Sequence, residues 1–573
     1  MSGQPQQQQQ LTARALLAGC GIGVMLAAAN VYTGLKISII DGGSITAALL
    51  GFTIFATFTR LARRPYTAIE NNITQTTAAS AAIMGYAAGM GGPIPAMDLS
   101  GTHFPMWALM IWGASLGIIG IVAAALLRRK LIVDDALPFP TGNATGNLIE
   151  TMFGARATAL RRARLLIGAA LFAAVFTWFR DGRPKIIPAM TMFGLSVGGL
   201  SLNAVSFGMN WSPLVMSTGI MMGTRAAVSM FIGAVVGWGL LSPWLVNHHV
   251  IASLEFSSCL SWLVWPGLGM LMAGSLLPLL MDWRPIVRAV RDVGGLALAR
   301  RRSDPGAARG GRAGTALMVA GLAGVVVVAR GVFGFHVPTI LLVLLFALVM
   351  AVVSSRATGE TDLAPVGAVG TVTQLLFSRC GAIGSMLFAS VAFGASTQAA
   401  QTLWALKAGQ KLHAAPRPQL MAQLIGALLG AAVVAPVYVI LLKAYGIGTE
   451  SLPAPSAISV KATAEAMRGG LSTLPPYATL GGGVGLAVGA LLALLARGRL
   501  ARFCPSPAAM GIAMLIPPSL AVAGLAGVLL ARLAQRLRPE LDDDALTSMA
   551  AGGLAGESVM GVVIAALVLL GVV

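Results

Sequence analysis

The sequence predicts an all-α, polytopic membrane protein with roughly 14–16 transmembrane helices, several discontinuous or re-entrant. Composition is the first of three observations behind this. Of 573 residues, 56% are hydrophobic and only 10% are charged, where a soluble chain carries about a quarter charged residues. Mean hydropathy is +0.81. The apolar residues also fall in uninterrupted segments, each near the ~20 residues that cross a bilayer. Finally, the chain holds 70 glycines, as expected where helices pack closely without a hydrophobic force between them.

The segments follow in order. Residues 12–29 are apolar and lead at once into NVYTGLK, Asn30 to Lys36. Ile45 to Phe58 is closed by Arg60, Arg63 and Arg64. A polar run, IENNITQTTAAS from Ile69 to Ser80, then leads to the Gly-rich MGGPIP. Met106 to Leu127 is closed by Arg128, Arg129 and Lys130. Both basic clusters follow an even number of spans, so the N-terminus is expected inside by the positive-inside rule. The next loop holds LPFPTGNATGNLIE, Leu137 to Glu150, with four arginines after it. Leu165 to Phe179 and Ile186 to Phe207 read as further spans, although Arg180, Arg183 and Lys185 between them would then lie outside, against the rule. Ser212 to Val246 suits a tilted span plus a broken piece, and Leu260 to Met281 follows. Later apolar segments run at 315–331, 338–354, 363–377, 382–404, 419–442, 476–496, 507–531 and 547–571.

Four regions result: a disordered Gln-rich tail at 1–11, an N-terminal transmembrane half at 12–283, a basic cytoplasmic linker at 284–314, and a C-terminal transmembrane half at 315–573. The halves repeat their markers. NVYTGLK, Gln75, Pro138/Pro140 and Ser212-Pro213 in the first answer to TGETD (Thr358 to Asp362), STQAAQ (Ser396 to Gln401), Pro453/Pro455 and Ser506-Pro507 in the second. Transporters with such repeats place their site at the repeat interface. A duplication and chance similarity among Gly- and Ala-rich spans account for the markers equally well.

Several function classes drop out. Net charge is +19, but the basic residues sit in short clusters between spans, so nucleic acid is not the expected partner. Cys20, Cys259, Cys380 and Cys504 are far apart, without metal or redox spacing. No phosphate loop, HExxH or Ser–His pairing argues for a pump or an intramembrane enzyme. A channel would need a filter repeated around a symmetric pore.

Taken as a set, NVYTGLK, ENNITQTTAAS, LPFPTGNAT, the SP-plus-GxR span from Ser212 through Arg225, TGETD with Pro365, QTLWALKAG from Gln401, APRPQ, LPAP and LAGES before Val559 resemble the oligopeptide transporter (OPT) superfamily, in particular its prokaryotic branch. The resemblance implies a proton-driven secondary carrier, no enzyme and no resident cofactor, importing small oligopeptides or metal chelates across a plasma membrane, here a bacterial inner membrane. One departure is local: Ala405 stands in QTLWALKAG where much of the family carries an acidic residue.

A helix polar on most of its circumference, as Glu70 to Ser80 is, cannot face lipid, so it must face helices or a wet cavity. Substrate contact is therefore expected from Asn71 and Gln75, from Gln398 and Gln401 in the other half, and from Asn30, Tyr32 and Lys36, where an amide, a phenol and an ammonium line one helix wall. Lys36 would bind a peptide carboxylate and Glu70 its ammonium. The bland alternatives are a snorkelling lysine and helix-to-helix hydrogen bonds. Glu70, Glu557, Glu360 and Asp362 are the candidate proton carriers, because a carboxyl in a low-dielectric cavity holds its proton more tightly than in water. Arg356 makes an ordinary ion pair an equal account of Glu360 and Asp362. No metal ligand set stands out. The expected partners are a small solute, protons and the bilayer, and a homodimer is compatible with all of this.

Overall fold

The computed structural model describes residues 10–38, 42–57, 65–154, 156–281, 307–362, 364–469, 475–496 and 504–572. Arg60, Arg63 and Arg64, most of the tail and residues 284–306 of the linker lie outside the described residues. The first half comprises α1 (Ala13–Ile37), α2 (Ser44–Thr57), α3 (Ala68–Ala82), α4 (Met84–Ala87), α5 (Pro93–Leu99), α6 (Met106–Arg128), α7 (Pro140–Gly154), α8 (Arg156–Asp181), α9 (Pro213–Ala234), α10 (Ser242–Asn247) and α11 (Phe256–Met281). The second comprises α12 (Ala307–Gly331), α13 (Val337–Thr361), α14 (Val366–Leu376), α15 (Gly381–Lys411), α16 (Pro416–Tyr445), α17 (Pro455–Gly469), α18 (Ala478–Leu495), α19 (Pro507–Ala513), α20 (Pro518–Leu537) and α21 (Asp543–Leu569).

Among the described residues, 12 helices are long and apolar enough to cross a membrane, and the all-α polytopic class holds. The count falls short of 14–16 for local reasons. Ile186 to Phe207 does not form the expected span. It folds into short antiparallel ribbons, with Met190–Met192 paired to Gly208–Asn210 and Ser196–Val197 to Leu200–Ser201. Gly194, Gly198 and Gly199 take positive φ there, which a continuous helix forbids. The 363–377 segment yields only the 11 residues of α14, too few to span hydrocarbon. The 507–531 segment splits into α19 and α20, because Pro517 and Pro518 cannot continue the ladder of α19. The third segment, expected as one helix, breaks into α3, α4 and α5, with Gly89 at φ 84° between the last two. α9 is interrupted at Gly223, with φ 81° and ψ 167°, as the length of its segment predicted.

Basic groups gather at one end of the bundle. There Lys130 Nζ lies 2.6 Å from Asp135, and Arg356 bridges Asp135 at 2.9 Å and Glu360 at 3.0 Å. Burial pushes the Asp135 carboxyl up, but hydrogen bonds from Lys130 and Arg356 outweigh it and hold the group below its ordinary range. Its charge therefore supports the fold at neutral pH, and that support is lost as pH falls. Arg162 pairs with Asp544 at 2.6 Å, closing α8 onto α21.

The core is built from close backbone approaches. α15 is the most enclosed of the 12 spans. A Cβ on Gly426 would meet the Thr77 carbonyl oxygen at 2.2 Å, and one on Gly556 would meet that of Ala170 at 2.1 Å. Such contacts require glycine because backbone cannot retreat. Gly426→Val is expected to lower the unfolding temperature of the detergent-purified protein, through overpacking of about 1–3 kcal/mol. Gly483→Ala, which faces open space on α18, is expected to leave it unchanged or slightly raised; equal effects from the two variants would refute this packing account.

Candidate functional site

The site is organised by two kinds of contact that only a break in a helix can make. The first is a buried charge cluster. Lys36, near the C-terminus of α1, donates from Nζ to Tyr32 Oη at 3.0 Å and to Glu557 Oε1 at 3.0 Å. Arg180, at the end of α8, donates to the same Glu557 oxygen at 3.0 Å and also contacts Asp181. α9 begins at the cluster because Ser212 caps it: Val215 N–H donates to Ser212 Oγ at 3.2 Å, and Pro213 takes the first helical position. The Ser212 hydroxyl also lies 2.8 and 2.9 Å from the two Glu557 oxygens. The free Leu214 N–H of the first turn donates to Glu557 Oε2 at 2.8 Å, as helix N-termini do toward anions. Two cations and two anions thus neutralise one another, tying α1, α8, α9 and α21 together.

The second contact is an exchange of helix ends between the halves. Ser38, the C-cap of α1, has left-handed φ 56°, and its Oγ accepts from Ser456 N–H of α17 at 2.9 Å. Asp362, the C-cap of α13, has φ 64°, and its Oδ1 accepts from Thr141 N–H of α7 at 3.0 Å. Leu35 C=O accepts from Ala454 N–H at 2.8 Å, and Gly359 C=O from Phe139 N–H at 3.0 Å. Both of these donors, Phe139 and Ala454, take positive φ. The spacing from Phe139 to Ala454 equals that from Thr141 to Ser456, and the spacing from Leu35 to Gly359 equals that from Ser38 to Asp362. The C-cap of one helix thereby serves as N-cap to a half-length helix of the other half, twice, at matching positions. The α13 end lies beside Lys130 and Asp135, just beyond the C-terminal end of α6, and the α1 end lies opposite, so the two junctions sit on opposite faces.

A cavity lies at the α1–α17 junction, between the halves. Its volume is about 140 Å³, below the ~300–1,000 Å³ typical of small-molecule sites. Thr371, Gln374, Ser456 and Ser459 supply its polar atoms, and Leu268, Met272 and Phe393 part of its apolar wall. Glu70, Lys36 and Glu557 do not line it.

The predicted residues distribute as follows. Tyr32, Lys36 and Glu557 meet. Asn30 turns away and donates to Ala82 C=O at 2.9 Å. Asn71, Gln75, Gln398 and Gln401 are all buried, in helix seams rather than a hollow. Asn71 donates to Ala48 C=O at 3.0 Å, Gln75 to Asn72 Oδ1 at 3.0 Å, Gln398 to Ser80 Oγ at 2.9 Å, and Gln401 to Ser44 Oγ at 3.1 Å. Ser80 donates in turn to Gln423 C=O at 2.6 Å.

Glu70 does not join Glu557. It closes a capping box with Thr67 at the start of α3 and is held by Arg14 at 2.7 Å and by the Thr12 hydroxyl at 2.8 Å. These two candidate proton carriers therefore lie in separate surroundings, and the polar first turn of α3 takes the Glu70 carboxylate as its cap. Glu360 pairs with Arg356. Asp362 caps α7 and accepts from Trp404 Nε1 at 2.8 Å, so it is a junction residue and not half of an ion pair with Arg356.

The residue reading missed Arg180 and Ser212 as site members. Arg180 did leave a trace, since it violated the positive-inside pattern; a cation in the wrong loop is one that has found a buried partner. Gln423, inside an apolar segment, was a comparable signal left unused.

Comparison with known proteins agrees with this architecture. The family model described as OPT oligopeptide transporter protein matches residues 10–568. A putative oligopeptide transporter of Saccharomyces cerevisiae is 24% identical over 584 residues, covering 78% of this chain and 80% of that protein. A putative oligopeptide transporter of Haemophilus influenzae is 24% identical, covering 93% and 92%. A probable metal-nicotianamine transporter of Arabidopsis thaliana is 21% identical, covering 97% and 91%.

Neutralising Glu557 alone leaves two buried cations, Lys36 and Arg180, facing one partly exposed anion, Asp181. Glu557→Gln is expected to destabilise the protein by about 3–5 kcal/mol, the usual cost of breaking a buried pair. Adding Lys36→Met is expected to recover part of that loss. Thermal unfolding of the two single variants and the double variant checks this, and strict additivity would refute the charge balance.

Proposed function

Because the chain belongs to the OPT oligopeptide transporter family, we propose that it works as a proton-coupled secondary carrier, importing small oligopeptides or peptide-like compounds across a bacterial inner membrane by alternating access. The observation that carries this reading is the pair of matched junctions on opposite faces with a cavity at one of them. Two equivalent junctions on opposite faces give a carrier matched pivots about which to exchange sides, and they support the duplication of the halves.

The lining of the cavity suits a peptide, and the helices around it must part to admit one. Gln374, Thr371, Ser456 and Ser459 offer donors and acceptors to amide groups, and the apolar wall accommodates side chains. Lys36, between the junction residues Leu35 and Ser38, is proposed to receive the substrate carboxylate when the contact with Glu557 opens. Asn71, Gln75, Gln398 and Gln401, with Asn30 and Tyr32 on α1, would line the path as the α3 seams part. A metal-chelate substrate is the second reading, favoured by the relatives named as metal-nicotianamine transporters. A chelate presents carboxylates and amines, which the same lining could hold. Coupling to one proton is sufficient energetically: a charge crossing 100 mV releases about 2.3 kcal/mol, or roughly 50-fold accumulation of a neutral solute.

Purified protein in proteoliposomes tests the proposal with a panel of di- to pentapeptides and ferric or other metal chelates. Saturable uptake that rises with an inward proton gradient is expected, with Lys36→Ala raising KM. Uptake that neither saturates nor responds to the gradient would overturn it.

A further inference from the structure

The carboxylates singled out in the sequence are engaged with arginine, lysine or helix ends. A different carboxylate, Asp98 at the C-terminal end of α5, faces a histidine and a tyrosine instead. His103 Nδ1 lies 2.6 Å from Asp98 Oδ1, and the Tyr438 hydroxyl of α16 contacts Oδ2. The Asp98 side chain is 6% exposed and that of His103 is 69% exposed, so one hydrogen bond separates solvent from a buried carboxylate. The 99–105 loop that carries His103 precedes α6, whose far end bears Arg128, Arg129 and Lys130; the pair therefore faces the side opposite the basic anchors.

α5 links this pair to the cavity. It is a seven-residue helix, about 10 Å long. Left-handed glycines flank it, Gly89 at φ 84° and Gly101 at φ 78°. Gly92 and Pro93 at its start line the cavity. A change of charge at Asp98 thus acts on a short rigid body whose other end is a wall of the candidate substrate site.

We propose that Asp98 and His103 form the outer proton-binding site of this carrier, with α5 transmitting its occupancy to the cavity. The proposal rests on the proton-coupled reading above and assigns that role to residues outside the predicted set. With neutral imidazole, Asp98 carries an uncompensated negative charge steadied by the Tyr438 hydroxyl. With a proton bound, the pair is neutral. The other charged groups around α5 are otherwise engaged or exposed. On α17, Lys461 donates to Leu99 C=O at 3.1 Å and lies 3.6 Å from Glu465. Glu450, in the loop whose Gly448 touches Leu99, accepts from Ser206 at 2.9 Å. In the α12–α13 loop, where Phe333 packs on Phe104, Arg330 donates to Gly334 C=O and His336 is exposed. Lys407 and Lys411 lie at the far end of α15. Among the described residues, His103 is the ion-pair partner of Asp98.

The proton itself is the probe for the first test. Hydrogen exchange across residues 93–104 of the full-length purified protein, corrected for intrinsic rate, is expected to show a step between pH 5 and 8, the window in which imidazole changes charge. His103→Gln keeps a donor for Asp98 on an exposed side chain and is expected to abolish the step. Asp98→Asn is expected to do the same. A step that persists in both variants, or none in the wild type, overturns the proposal whatever transport shows. In proteoliposomes, the gradient-driven part of peptide uptake is expected to fall in both variants, approaching the loss of the roughly 50-fold that one proton at 100 mV supports. Undiminished stimulation in both would remove the pair from coupling while leaving the carrier reading intact. Wild-type uptake indifferent to the gradient, beside an exchange step that His103→Gln abolishes, would instead sink the coupled reading and keep the proton site.

Discussion

A helix that stops inside a membrane protein leaves backbone groups with nothing to bond, and hydrocarbon will not supply partners. This protein meets the problem by letting one half complete the other. Ser38 and Asp362 each end a helix in the left-handed conformation, and each offers a side-chain oxygen to the second residue of a half-length helix from the opposite half. Pro140 and Pro455 fit the first positions of those helices because that N–H would be idle in any case. The positive φ of Phe139 and Ala454 follows as well, since the chain must turn sharply to bring its N–H groups onto Gly359 and Leu35. Neither half closes its helix ends alone. The interface is thus obligatory, and a cavity located there is bounded by both halves.

The charge cluster obeys the same rule at higher cost. Two ions brought out of water repay their desolvation only when every remaining hydrogen-bonding position is filled. Glu557 meets that condition with Lys36, Arg180, the Ser212 hydroxyl and the Leu214 N–H. So complete a set argues for a latch. A carboxylate held this way takes up a proton only if its cations leave first, whereas Asp98 has one exposed, titratable neighbour and needs no such rearrangement.

The class of fold was legible because the bilayer imposes segment length and apolarity, and both can be read residue by residue. Lys36 and Glu557 were legible for the converse reason: a lone charge in an apolar run must have a partner. What could not be read was which partner. Glu70 has every attribute of a functional carboxylate, yet a capping box at Thr67 looks identical in sequence to a carboxylate waiting for substrate. The ribbons at 190–210 escaped notice because hydropathy does not distinguish a span from an apolar loop folded on itself; the glycines at 194, 198 and 199 carried that information. Asp98, near the end of α5, and His103, in the loop after it, are five residues apart with no motif around them, and only folding brings Tyr438 to them.

The amide seams add a last constraint on how the molecule can move. Asn71 Oδ1, Gln75 Oε1, Gln398 Oε1, Gln401 Oε1 and Gln423 Nε2 are buried without a partner among the described residues. Each such atom costs about 1–3 kcal/mol relative to a satisfied one. α3 meets α15 and α16 at these seams, with Gln398 reaching Ser80 and Ser80 reaching Gln423. Glycine at Gly426 lets the backbones touch, so no bulky side chain has to be withdrawn before they separate. A close contact with little interlocking and several idle amides favours a seam that parts readily, since groups exposed by parting gain partners. The junctions at Ser38 and Asp362 are the reverse, with the cap oxygens and the carbonyls of Leu35 and Gly359 each paired to an N–H of the opposite half. Motion in this architecture is therefore expected to run along α3, pivoting on helix ends that the two halves hold for each other.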